Sequence, residues 1–176
     1  MSEPTHDNTN LLNTMKAACR DTLRCMQCGV CSGSCPSGRH MAINIRRLVK
    51  KAARTVDVLK DEQLWMCTTC YNCQERCPRN IDIVEAVFSL RSIAVHEGIM
   101  LPEHGRVSGL LIRHGHAVPI DDERKKQRTE LGLDEIPLTV QSCPEGLEEV
   151  RTLLKSCGFD RLTGDRDKSN AKTETA

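Results

Sequence analysis

Two stretches decide how this chain is read: CMQCGVCSGSCP at residues 25–36 and CTTCYNCQERCP at residues 67–78, the second offset from the first by 42 positions. Each has the form C-x2-C-x2-C-x3-C-P, the bacterial ferredoxin spacing for a 4Fe-4S cluster. Three thiolates three residues apart on a tightly winding loop can reach three iron corners of one cube, while the chain carries the fourth away. In this pattern the fourth cysteine of each run ligates the other cluster. The expected ligand sets are therefore Cys25, Cys28, Cys31 and Cys77 for one cluster, and Cys67, Cys70, Cys73 and Cys35 for the other. Pro36 and Pro78 each remove a backbone donor and favour an extended residue before them, which ends the binding loop. The competing reading is zinc, held by two C-x2-C pairs across a spacer of ~15–20 residues, and a third cysteine two residues later is surplus to that geometry.

Composition agrees with a metal-built core. Of 176 residues 11 are Cys, while Phe, Trp and Tyr number two, one and one. That is too few aromatics for an ordinary core and too long a chain for a disulfide-stapled miniature, so the thiols read as ligands. Lys plus Arg is 25 against 24 Asp plus Glu, a net charge of +1, which gives no bias toward nucleic acid or a membrane surface. No apolar run approaches the ~20 residues of a membrane span, and residues 1–10 are polar, unlike a signal sequence. The expectation is a cytoplasmic protein whose thiols stay reduced.

Outward from the runs, the periodicity is helical and no alternating strand pattern of useful length intervenes. Leu11, Leu12, Met15, Ala18, Cys19 and Leu23 predict a helix over 10–23, capped at Thr9 or Asn10. In the spacer, Ile45, Leu48, Val49, Ala52, Val56 and Leu59 form one stripe opposite Arg46, Arg47, Lys50, Lys51 and Arg54. That predicts an amphipathic helix broken near Asp57, with a further turn from Asp61 to Met66. The basic side reads as a solvated face. A third helix, 81–96, carries Ile83, Val84, Val87, Phe88, Leu90, Ala94 and Val95. A long helical spacer between the runs favours an all-α fold, an α-helical ferredoxin domain with two 4Fe-4S clusters and an irregular or helical C-terminal extension.

The expected divisions are a flexible N-terminus at 1–9, the cluster domain at 10–97, a partner-docking extension at 98–162 and a disordered tail at 163–176. In the extension, Gly98, Pro102, Gly105, Gly109, Gly115 and Pro119 interrupt short apolar pieces such as 107–112. Residues 121–130 are dense in charge and read as a solvated loop or helix face. A helix begins at Pro144 and Glu145, turns Leu147, Val150, Leu153, Leu154 and Cys157 to one side, and is closed by Gly158. Cys19, Cys143 and Cys157, outside the runs, read as small buried hydrophobes. His104, His114 and His116 read as contacts to a partner protein, and Trp65 and Tyr71 as a cover over the second cluster. No glycine-rich nucleotide or flavin fingerprint, phosphate loop or catalytic triad pattern is present. Iron held by four thiolates has no vacancy for substrate and passes electrons one at a time.

The two runs with their helical spacer and short C-terminal extension resemble the C subunit of the soluble heterodisulfide reductase of methanogenic archaea. The resemblance is strongest over 10–96. It implies a cytoplasmic complex in which a flavin-containing, iron-sulfur A subunit bifurcates electrons and the C subunit relays one branch. The receiver is a cysteine-rich catalytic B subunit, which reduces the mixed disulfide of coenzyme M and coenzyme B in methanogenesis; a hydrogenase or formate dehydrogenase feeds the assembly. This chain would then have no catalytic residue of its own, and its eight run cysteines map onto the family's cluster ligands. Related helical ferredoxin modules fused to cysteine-rich domains, in glycolate and glycerol 3-phosphate oxidation, carry a Cys-Cys pair in a repeated domain, and this sequence has no adjacent cysteines. The alternatives are a relay subunit of another helical-ferredoxin oxidoreductase, or a free dicluster ferredoxin.

Overall fold

The computed structural model describes residues 8–118 and 120–163, so most of the expected flexible N-terminus and disordered tail lies outside the described residues. Among those described there is no strand, and the all-α expectation holds. The chain divides into two compact units, 1–99 and 100–176.

The first unit contains α1 (Asn8–Ala18), α2 (Val30–Ser34), α3 (Ile45–Ala52), α4 (Asn72–Glu75) and α5 (Ile83–His96), joined by short 3-10 turns. α1 already includes Asn8, so Thr9 and Asn10 lie inside the helix rather than before it. It stops sooner than the sequence suggests, at Ala18. The Thr22 hydroxyl donates to the Cys19 carbonyl at 2.6 Å, and the chain tightens into a 3-10 turn over Arg20–Arg24. α3 begins where Asn44, in an extended conformation, accepts a bond from the Arg47 N–H at 3.1 Å. It buries Ile45, Leu48, Val49 and Ala52 and leaves Arg46, Arg47 and Lys50 in solvent, as the stripe requires. The break falls at residues 53–55 rather than at Asp57, because Thr55 accepts from the Asp57 N–H at 3.2 Å and caps a new 3-10 turn. Asp61 then caps the next turn and pairs with Lys51. Burial works against the Asp61 carboxylate, but the Lys51 and Gln63 hydrogen bonds outweigh it and hold its pKa below the usual carboxylate range.

α5 buries Ile83, Val84, Ala86, Val87, Leu90 and Ala94. Phe88, expected in that stripe, is instead 43% exposed. It shares the outer face with Glu85 and Ser92, which stand three residues before and four residues after it. Two apolar cores result. One joins Met15 and Cys19 to Leu48, Val58, Leu59, Leu64 and the later half of α5. The other gathers Ile43, Ile45, Val49, Ile81, Ile83 and Val84 around Cys31 and Cys73.

The second unit holds α6 (Pro102–His114), α7 (Asp122–Glu130), α8 (Pro144–Ser156) and α9 (Phe159–Thr163). The stretch that glycine and proline mark as broken is a 13-residue helix. Pro102 occupies the first turn, where no N–H is needed, and Gly105 and Gly109 are buried on one face. Gly115 ends it at φ 64°, and a Cβ there would lie 2.1 Å from Val140 Cγ2. α7 buries no side chain, the solvated face that its charge density implies. Nor does α8, whose Leu153 is 68% exposed; Arg151 ties it to α6 by donating to the carbonyls of Ile112 (3.2 Å) and Arg113 (2.6 Å). Thr163, assigned to the tail by composition, closes α9 and is buried.

Candidate metal centre

The 42-residue repeat in sequence is a repeat in backbone. Gln27 and Thr69, each two residues after the first cysteine of its run, have φ of 61° and 53°. Gly29 and Tyr71, each directly after the second cysteine, have φ of 85° and 63° and open α2 and α4. Two left-handed residues per run wind the loop tightly around its first three cysteines, and three of the four positions are not glycine. Such strain persists only where the surroundings over-determine it, and it collects at functional sites. After each turn, the bonds also match. Gly33 N–H donates to Gly29 O at 3.1 Å and Glu75 N–H to Tyr71 O at 3.0 Å; Cys35 N–H donates to Ser32 O at 3.4 Å and Cys77 N–H to Gln74 O at 3.0 Å.

Burial repeats by position. The third cysteines, Cys31 and Cys73, are buried in α2 and α4, which pack on each other. Cys28 and Cys70 are exposed, and Cys25, Cys35, Cys67 and Cys77 are intermediate. One cavity is lined by Cys25, Cys28 and Cys31 of the first run together with Cys77 of the second, and is walled by Val49, Ile81 and Ile83. The run ends are also tied crosswise. Arg24 donates to the Asn80 carbonyl at 3.4 Å, and the hydroxyls of Ser37 and Thr68 lie 3.0 Å apart. The second tie carries the segment after Cys35 to the start of the second run.

Electrostatics make the same point. Burial pushes the Cys73 thiol up to about 12, and Cys67, Cys31 and Cys70 add to the shift. Cys31 is raised first by burial, and further by Cys25 and Cys28, against lowering hydrogen bonds from Ser32. The Cys73 thiol therefore feels Cys31 of the other run as well as its own. Metal binding must displace these protons, since thiolate is the ligand. All eleven cysteines are free. Among the described residues no three His, Cys, Asp or Glu side chains converge on one point to hold a single ion. Cys25, Cys28, Cys31 and Cys77 instead line one cavity together with Val49, Ile81 and Ile83, and a cubane takes its ligands at four separate corners.

Of the other expected residues, Trp65 is partly buried against the larger core with Arg91 over its ring at 5.8 Å. Tyr71 is 38% exposed and donates to Glu85 at 3.2 Å. The His116 ring turns back on Val118, whose N–H donates to Nδ1 at 3.1 Å. The packing role assigned to the three spare cysteines is right for Cys19 alone. Cys143 and Cys157 are exposed, because they flank α8, a helix that buries nothing. Sequence reasoning missed Gln27, whose backbone N–H and side-chain Nε2 both donate to Cys25 Sγ, at 3.4 and 3.2 Å. It also missed Arg91, which donates to the carbonyls of Leu64 (3.0 Å) and Cys67 (2.7 Å). Aligning the runs on their offset brings Gln27 opposite Thr69 and is the signal that could have found the first.

A family model described as a 4Fe-4S dicluster domain matches residues 21–81, which include all eight run cysteines. Over 157 residues the chain is 57% identical to the C subunit of the ferredoxin:CoB-CoM heterodisulfide reductase of Methanosarcina mazei, covering 89% of this chain and 98% of that one. It is 46% identical over 153 residues to the C subunit of the H(2):CoB-CoM heterodisulfide,ferredoxin reductase of Methanothermobacter thermautotrophicus, covering 85% of this chain and 83% of that one. With the iron-sulfur C subunit of the CoB-CoM heterodisulfide reductase of Methanopyrus kandleri it shares 47% identity over 142 residues, 80% of this chain and 74% of that one. Among the described residues no helix is long and apolar enough to cross a membrane. The chain belongs to the C-subunit family of CoB-CoM heterodisulfide reductase, as an iron-sulfur subunit that transfers electrons through two 4Fe-4S clusters.

Proposed function

We propose that Cys25, Cys28, Cys31 and Cys77 hold one cluster and Cys67, Cys70, Cys73 and Cys35 the other. The observation that carries this is the cavity lined by three cysteines of one run and the fourth of the other. Bound there, each cluster supplies one-electron transfer and nothing else. The chain's own part is to exclude water with Val49, Ile81 and Ile83 and to hold Cys31 and Cys73 within one apolar core, so that the two sites adjoin.

In this reading the subunit relays electrons from a flavin-containing A subunit to a cysteine-rich B subunit that reduces the heterodisulfide to coenzyme M and coenzyme B. The relatives are named for different reductants, ferredoxin in one and H(2) in another, and for the same CoB-CoM heterodisulfide. The shared terminus supports the B-facing role, while the first reductant, through a hydrogenase, a formate dehydrogenase or ferredoxin, lies upstream. Eleven free thiols suit the reducing cytoplasm. The region 98–162 serves as the docking extension, supported by the exposure of Leu131, Leu133, Ile136 and Leu138 in its loop.

The ligand sets are tested by pairs of substitutions. Anaerobically purified chain should hold about eight iron and eight sulfide, as two cubanes require. Cys25→Ala with Cys77→Ala should disable a single cluster and leave about four of each. If each run filled its own cluster, the same pair would disable both and leave none intact. Co-purification from the source organism tests the relay, with flavin- and cysteine-rich companions expected and a solitary chain counting against it.

A further inference from the structure

Two copies of one loop would give two equivalent clusters, but the runs share only their cysteines and proline, and one of the differences falls on a ligand sulfur. Gln27 sends its carboxamide Nε2 to Cys25 Sγ at 3.2 Å, beside the backbone N–H of the same residue at 3.4 Å. Its counterpart Thr69 has the same left-handed backbone, with a short hydroxyl in place of a carboxamide. Hydrogen bonds to cluster sulfur favour the reduced, more negative state and so raise the reduction potential. Charge is also distributed unequally. Arg46 and Arg79 line the cavity of Cys25, Cys28, Cys31 and Cys77. On the second run, Arg91 brings one cation to the Cys67 carbonyl, and the Glu85 carboxylate, held next to the loop by Tyr71, opposes it.

We infer that Gln27 is a potential-setting residue: its carboxamide lifts the cluster held by Cys25 above the one held by Cys67, so that an electron entering this chain settles at the first run. This rests on the ligand sets proposed above. One electron arrives and one leaves, and no bond or proton need change. The electron then leaves from the side of the first run, so the acceptor docks there and the donor by the second.

The test is a potentiometric titration of the full chain carrying its clusters, followed by electron paramagnetic resonance, with iron and sulfide assayed in each sample. Wild type should show two couples. Gln27→Leu should lower the upper one, raising the oxidised-to-reduced ratio at fixed potential about tenfold, or ~59 mV for a one-electron couple, and leave the lower one in place. Gln27→Glu, which replaces the donor by an acceptor and adds a negative charge, should shift the same couple in the same direction. The inference is overturned if Gln27→Leu keeps wild-type iron and sulfide yet moves neither couple, or moves the lower one. Should Gln27→Leu lose iron, Thr69→Gln decides: the lower couple should rise toward the upper, and an unmoved couple overturns the inference. Wild type with fewer than two clusters would instead break the ligand assignment, which the iron and sulfide assay reads separately.

Discussion

Cys19 is 2% exposed, and its thiol donates to the Ala86 carbonyl at 3.6 Å, linking the end of α1 to α5. Burial alone pushes its pKa up to about 11 from 9.0. The folded chain thus keeps a proton that the unfolded chain gives up, and the sign follows from linkage. This residue's contribution to stability is whole below pH 9, falls as pH rises, and is gone above about 11. The loss across that window is on the order of 2 kcal/mol. Cys19→Ala removes the titrating group. Its unfolding midpoint should therefore fall less between pH 8.5 and 10.5 than that of wild type, even though the variant starts lower. Equal slopes in denaturant titrations at the two pH values would refute the assignment. Cys143 and Cys157, exposed at the two ends of α8, should react readily with a thiol reagent that leaves Cys19 untouched.

At the scale of elements, α5 is where packing and periodicity can be separated. Leu90 is 1% exposed in the larger core, while Phe88, two residues away, is 43% exposed. Leu90→Ala should cost ~2–5 kcal/mol through lost transfer energy and a cavity. Phe88→Ala should stay within about 0.5 kcal/mol, as an exposed side chain does. Unfolding of the full chain followed by circular dichroism checks both. The pair also marks what the sequence could convey. The apolar stripe of α3 and the helical span of α5 were legible because burial enforces period 3.6 over several turns. The side on which Phe88 falls was in the letters but is missed when hydrophobicity is weighed ahead of spacing, since Glu85 three residues before and Ser92 four after put it on their face. α6 was hidden for another reason. Gly105 and Gly109 read as breaks by propensity, yet both are buried on one helix face, and Pro102 stands in the one turn that tolerates it. The cysteine spacing announced both clusters, but nothing in the letters Gln27, Thr69 and Tyr71 announced a left-handed backbone.

For the whole molecule, the buried hydrophobic side chains among the described residues end at Ala94. Both apolar cores and all eight run cysteines therefore lie in the first unit. In the second unit the buried residues among those described are Gly105, Gly109, Gly158 and Thr163, while Leu131 and Leu138 are 76% and 91% exposed. A stable domain of that size must bury a substantial apolar surface to offset chain entropy, and glycine contributes little. The two units should separate on division of the chain. A fragment of residues 1–99, expressed and reconstituted without oxygen, should hold about eight iron and eight sulfide and unfold cooperatively, because every cluster ligand and both cores remain. Residues 100–176 alone should show weak helical dichroism and a broad, non-cooperative melt. Their helicity should rise when the partner subunits are added, since the exposed leucines gain the cover that the fragment cannot supply itself. A sharp melt for 100–176 by itself would show that this unit stands unaided, and would remove the physical reason for assigning it to docking.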